Sequence, residues 1–154
     1  MSSRAKALVV SLASAGAIAA GLGSAAVGSA KAVRHVSCTA TEVPYTHSGS
    51  QQLGLARCGS PLGDGVLQLS SAGKVAGNVI TLSGGLKYYL NTGTIHGSYR
   101  LAGSTTTGRL AGTARITGGT GAYRGAAGVG RVVCHAPVNS SRATCTMKLS
   151  LTRL

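Results

Sequence analysis

The sequence has no tryptophan and no phenylalanine, and its five tyrosines are the only large aromatic side chains. A core must then be packed from valine, leucine, isoleucine and alanine, which bury less area per residue than aromatic rings. So lean a core in a short chain calls for covalent reinforcement. Acidic side chains are scarce as well. Fifteen lysines and arginines face two carboxylates, Glu42 and Asp64, for a formal net charge of +13. Any chemistry that needs a carboxylate has only those two to draw on. No pair of cysteines has C-x-x-C spacing, which argues against a zinc site. No G-x-S-x-G elbow and no catalytic-cysteine context occur. After residue 33 no helical period appears.

The first thirty residues do have a pattern. Arg4 and Lys6 make a short basic region, and the uncharged run "ALVVSLASAGAIAAGLGSAAV" follows from Ala7. Then comes "AKA" at 30–32, an A-x-A processing site. The three parts read as a secretory signal peptide over 1–32, with cleavage after Ala32, or after Ala30 at "GSA". A membrane anchor is the rival reading, but the run is rich in glycine, alanine and serine and only weakly hydrophobic. There is no twin arginine. His35 stands in "RHVSC" where a lipid-modified cysteine needs an apolar neighbour. The expected mature chain, 33–154, is one extracellular domain. Removing Arg4, Lys6 and Lys31 with the leader lowers +13 to +10.

All four cysteines, Cys38, Cys58, Cys134 and Cys145, follow the expected cleavage site. An even number in an exported chain reads as disulfides, and four allow three pairings. The segment "RVVCHAPVNSSRATCTMKL" reads as a hairpin turning at Asn139-Ser140. If Val138 opposes Ser141, opposed positions sum to 279, and Cys134 faces Cys145. Their Cα atoms would then lie near the usual disulfide separation of about 5.5 Å. Cys38 is left for Cys58.

The remainder is strand-and-turn grammar, rich in Thr, Val, Ile, Leu and Tyr and broken by glycine every few residues. Strands are expected over 34–41, 53–57, 65–70, 74–82, 86–90, 94–102, 108–117, 129–136 and 143–153. Loops are expected over 42–52 and 58–64. In "GRLAGTARIT" Leu110, Gly112, Ala114 and Ile116 share one face. In "TCTMKLSLTRL" Cys145, Met147, Leu149 and Leu151 do the same. One apolar and one polar face predict antiparallel strands buried on a single side, in a sandwich or a closed barrel. Closure removes the free edges that invite aggregation. Glycines within strands, such as Gly77, Gly97, Gly112 and Gly130, fit strongly coiled barrel strands. Gly103 and Gly108 flank a hairpin loop, "STTT".

The stretch "ITGGTGAYRGAAGVG" at 116–130 has the densest glycine. A dinucleotide-binding loop would need G-x-G-x-x-G leading into a helix, but Arg124 occupies the third glycine position and no amphipathic helix follows. The plainer reading is a tight connection with close strand approach. The segment "GxAxITGGTGAYRGAAGVG", Gly112 to Gly130, resembles the signature of the allene oxide cyclase barrel-like and dirigent-like superfamily. The resemblance covers about 97–133 closely and the rest by strand pattern. It implies an all-β, antiparallel eight-stranded β-barrel. It also implies a connection built from Gly118, Gly119, Thr120, Gly121, Tyr123, Gly125 and Gly128, with Tyr123 packed beneath. Nine expected strands exceed eight, so one short strand should be loop. The chain has Ala127 where the family often has arginine, which removes the basis for any function of that arginine.

Enzymes of that family fold an unsaturated fatty-acid epoxide in an apolar cavity with an ordered water and a few polar groups. Its dirigent members orient phenoxy radicals. Both ask the cavity for a carboxylate. Here Asp64-Gly65 reads as a turn, and Glu42 as a surface loop residue beside an arginine. His35, His47, His96 and His135 have no motif partner and read as solvated or hydrogen-bonded rather than catalytic. Tyr88 and Tyr89 should face opposite sides of a strand. No catalytic residue, metal ligand or cofactor is assigned. The expected function is a secreted, disulfide-bonded barrel that binds a small apolar molecule without catalysis. The alternatives are a cyclase or isomerase, a dirigent-type guide, and a basic protein held by anionic cell-wall polymers. Cations come singly along the chain, which argues against specific nucleic-acid binding. The sequence leaves the oligomeric state open.

Overall fold

The computed structural model describes residues 32–44, 50–137 and 140–154. Eight strands follow one another: β1 (Arg34–Pro44), β2 (Gln51–Cys58), β3 (Asp64–Ala76), β4 (Val79–Leu90), β5 (Gly93–Ser104), β6 (Arg109–Gly119), β7 (Ala127–His135) and β8 (Ala143–Arg153). Each pairs antiparallel with the next, and β8 pairs antiparallel with β1, so the sheet closes into a barrel. An up-and-down meander closes with antiparallel neighbours throughout only when the strand number is even. Period-two alternation sends one side of every strand inward. Val36, Cys38 and Ala40 of β1, Leu110, Ala114 and Ile116 of β6, and Cys145, Met147, Leu149 and Leu151 of β8 are all buried.

The residues expected as nine strands form eight, and not because a short strand is loop. The expected strand 74–82 straddles a hairpin turn at Gly77-Asn78, where Gly77 takes φ +56°. Its halves extend 65–70 and 86–90 into β3 and β4. A Gly-Asn pair between alternating runs is itself a two-residue hairpin signal. β1 also continues past Thr41 to Pro44, so Glu42 belongs to a strand and not to a loop over 42–52. Asp64 opens β3 opposite Arg57; the turn lies just upstream, at 59–63.

Two disulfides, Cys38–Cys58 and Cys134–Cys145, join directly opposed residues of neighbouring strands. The β7–β8 register sums to 279 from Gly128 to His135. In both bridges the Cα atoms are 4.0 Å apart, closer than the expected 5.5 Å or so. Direct opposition at a narrow, non-hydrogen-bonded pair brings Cα atoms together in this way. The leader expected over 1–32 lies, but for Ala32, outside the described residues. So do His47 and the turn residues Val138 and Asn139.

The two ends of the barrel differ. At one end lie the β2–β3 turn, the β4–β5 turn and the β6–β7 connection. Here Leu62, Tyr88, Ile95, Tyr123 and Leu151 fill the interior. The Tyr88 hydroxyl lies 2.7 Å from the Gly63 carbonyl and 3.0 Å from that of Ala56, which pins the ring across the barrel. Burial, with Asp64 and Tyr123 adding to it, pushes its pKa up to about 12, so the hydroxyl remains a donor. The cavity lies toward the opposite end.

Candidate functional site

Glu42 carries the parity of Val36, Cys38 and Ala40 one step further, and so points inward; it is 3 % exposed. Its cross-strand partner on β2 is Gly54, and a Cβ there would come within 2.9 Å of the Glu42 Cγ. Glycine at that position leaves the room the carboxylate side chain occupies. Apolar surroundings disfavour the charged form, and burial raises the Glu42 pKa from 4.5 to about 7. The sequence reading placed this residue at the surface; the inward parity of a longer β1 puts it inside.

Glu42 borders a cavity of about 90 Å³ in the barrel interior. Its walls are mainly apolar, with Leu69, Leu86, Leu101, Ala114 and Met147 among them, and the Cys134–Cys145 bridge forms part of the lining. Glu42, Gln52 and Tyr99 supply the polar groups. The Tyr99 hydroxyl lies 2.5 Å from the Ser71 hydroxyl and donates to the Ser70 carbonyl at 3.3 Å. Burial raises its pKa, the Ser71 bond opposes the rise, and the Glu42 charge adds to it. Eight strands enclose an interior that side chains nearly fill. The cavity is accordingly much smaller than the roughly 300–1,000 Å³ of drug-sized pockets. It suits a compact group with one polar end.

None of the described histidines lines this cavity. His35, whose Nδ1 is 3.0 Å from the Ser150 hydroxyl, His96 and His135 are all exposed on the outer face. Among the described residues no group of three or more His, Cys, Asp or Glu is placed to hold a metal ion.

The glycine-rich connection lies at the filled end, away from Glu42. Thr120 is tied to Thr94 three ways: its N–H donates to the Thr94 carbonyl at 2.8 Å, its Oγ1 accepts from the Thr94 N–H at 3.1 Å, and the two hydroxyls are 2.9 Å apart. Gly121–Tyr123 forms one 3-10 turn, and Tyr123 is buried. Gly121 takes φ +59° against the Thr92 carbonyl, an approach that a Cβ would block. Gly118 and Gly119 end β6, Gly125 follows the turn at φ +79°, and Gly128 packs against β8. This segment seals the barrel and contributes nothing to the cavity lining.

The outer wall holds both apolar and cationic neighbours. On β1–β4, Val43 faces Leu53, and Leu55 faces Val66, which faces Tyr89; all five are exposed. On β5–β8, Arg100 faces Thr113, Thr113 faces Arg131, and Arg131 faces Lys148. Cations that come singly along the chain are therefore neighbours in the sheet. Nothing in their sequence spacing announces it, because the strand register sets it.

No protein-family model matches the chain, and no curated protein matches it. Eight chains of solved structures do, among them a pyocyanin demethylase at TM-score 0.43 and 17 % sequence identity, with 77 % of this chain and 99 % of that one covered.

Proposed function

We propose that this protein is a secreted, disulfide-stabilised barrel that takes up a small, mainly apolar molecule and anchors its one polar group at Glu42. One observation carries the reading: a single buried carboxyl group at the edge of a mainly apolar cavity. Burying such a group costs stability, a cost that function can justify, and ligand sites typically combine apolar walls with a few placed polar groups. The two disulfides support an extracellular location, since such bonds persist in oxidising compartments. Assignment to the allene oxide cyclase-like and dirigent-like superfamily fits the eight-stranded closure and the place of the Gly118–Gly128 segment between β6 and β7.

Native mass spectrometry of protein recovered from its own culture medium tests the binding reading. A bound small molecule, lost in Glu42→Gln, is the expected result. A bare polypeptide mass, together with unperturbed methyl resonances of Ala114 and Met147 on titration with small aromatic amines and alcohols, would overturn it.

A second reading has its own support. A carboxyl pKa of about 7 is what a general acid–base group needs near neutral pH, and the Tyr99 phenol faces the same cavity. That pair suits an isomerisation or cyclisation. Turnover of an unsaturated epoxide, abolished by Glu42→Gln, would favour it over simple binding.

A further inference from the structure

The outer face of β5–β8 gathers four exposed cations from four strands: Arg100, Arg115, Arg131 and Lys148. Arg131 and Lys148 are direct cross-strand partners, and Arg100 reaches Arg131 across Thr113. Arg115 lies two residues along β6 from Thr113, between Ser98 and Val129. Strands about 4.8 Å apart put Arg100 and Arg131 about 10 Å from each other, and a step of two residues along β6 adds about 7 Å. The four charges thus form one array.

Nothing in the chain's own side chains neutralises it. The sequence has two acidic residues. Glu42 points into the barrel, and Asp64 opens β3, outside the β5–β8 face. The surface is also concave: a trough of about 520 Å³ runs between Arg100 and Arg115, with hydroxyls of Ser83, Ser98 and Thr113 along it. Guanidinium forks match phosphate and carboxylate oxygens, and hydroxyls add hydrogen bonds. Among the described residues no tyrosine ring is exposed on the outer side of β5–β8, and the exposed imidazoles of His96 and His135 are not among the residues that line the trough. Tyr99 and Tyr123 are buried, and Tyr89 belongs to the apolar wall with Lys87 over its ring. Bases would find no exposed ring to stack on along the trough itself.

We propose that this face is a docking surface for a linear polyanion with a saturated, non-aromatic backbone, of the polyol-phosphate type. The charge array and the hydroxyl-lined trough select repeated anions along a flexible chain. Docking there leaves the cavity free, so the barrel is held on an anionic polymer while its interior remains available.

Fluorescence anisotropy with labelled poly(glycerol phosphate) tests this against labelled oligo(dT). The variant Arg100→Gln/Arg115→Gln/Arg131→Gln is compared with Arg34→Gln/Arg57→Gln/Arg142→Gln, which removes the same charge elsewhere. The face variant should weaken polymer binding at least about tenfold near physiological salt and flatten the salt dependence by about three counterions' worth. The control should stay within about twofold of the parent. Replacing Arg100, Arg115 and Arg131 with lysine should keep most of the binding, which separates lost charge from lost folding. Equal losses in the face and control variants would overturn a localised surface. Oligo(dT) binding as tightly as the polyol phosphate would overturn the assignment of the partner.

Discussion

Glu42 on β1 and Tyr99 on β5 face one cavity, and the charge of the carboxylate opposes ionisation of the phenol. The barrel interior thus holds a buried carboxyl group and a tyrosine whose hydroxyl is engaged by Ser71 and Ser70. Both features can be tested without knowing the ligand.

Stability should fall as pH rises through the range where only the unfolded chain has released the Glu42 proton. The folded pKa, about 7, lies above the ordinary 4.5, so the loss begins near pH 4.5 and is complete above pH 7. It is on the order of 3 kcal/mol. Glu42→Gln should therefore be more stable than the parent at pH 8 by up to that amount, and equal within about 1 kcal/mol at pH 4. Urea denaturation at both pH values checks this; a difference independent of pH would refute a desolvated carboxyl.

Filling the cavity should separate binding from folding. Ala114 is buried and lines the cavity, so Ala114→Leu places three carbons in the vacant volume. The added burial offsets the strain of packing, and stability should stay within about 1.5 kcal/mol of the parent. Xenon binding, followed by NMR of the Met147 methyl, should be present in the parent and lost in the variant. Equal xenon uptake by both would place the probe elsewhere.

The disulfides should contribute comparably. They close segments of 20 and 11 residues, and loop-closure entropy gives about 3 kcal/mol for each, slightly more for the longer. Guanidinium denaturation of Cys38→Ala/Cys58→Ala and Cys134→Ala/Cys145→Ala measures both. Unchanged stability in either double variant would contradict that account.

Two glycines of the β6–β7 connection should respond differently to alanine. Gly125 has φ +79° and open space where a Cβ would go, so Gly125→Ala should cost about 1–2 kcal/mol from conformation alone. At Gly121 a Cβ would in addition overlap the Thr92 carbonyl, so Gly121→Ala should cost at least about 2 kcal/mol more. Thermal unfolding ranks them, and equal losses would count against the tight Gly121–Thr92 approach.

Much of the fold was legible because its signals are local. Alternation marked β6 and β8, and hairpin arithmetic paired Cys134 with Cys145. The turn at Gly77-Asn78 was legible too, but an unbroken strand over 74–82 passes through it. Glu42 was harder. Its parity with Val36, Cys38 and Ala40 points inward, yet a carboxylate two residues before a proline reads as loop, and desolvation weighs against burying it. Only the glycine opposite, Gly54, shows where its side chain fits.

The sequence by itself determined that the chain makes one-sided strands, which cysteine faces which, and that cations greatly outnumber acids. Those properties depend on residue type and on neighbours close along the chain. The tertiary structure decided that Arg100, Arg115, Arg131 and Lys148 share one face, and that Glu42 borders a cavity with Tyr99. Both depend on register between strands and on closure of β1 against β8. Register is set jointly by every pair around the barrel, so no single segment carries it.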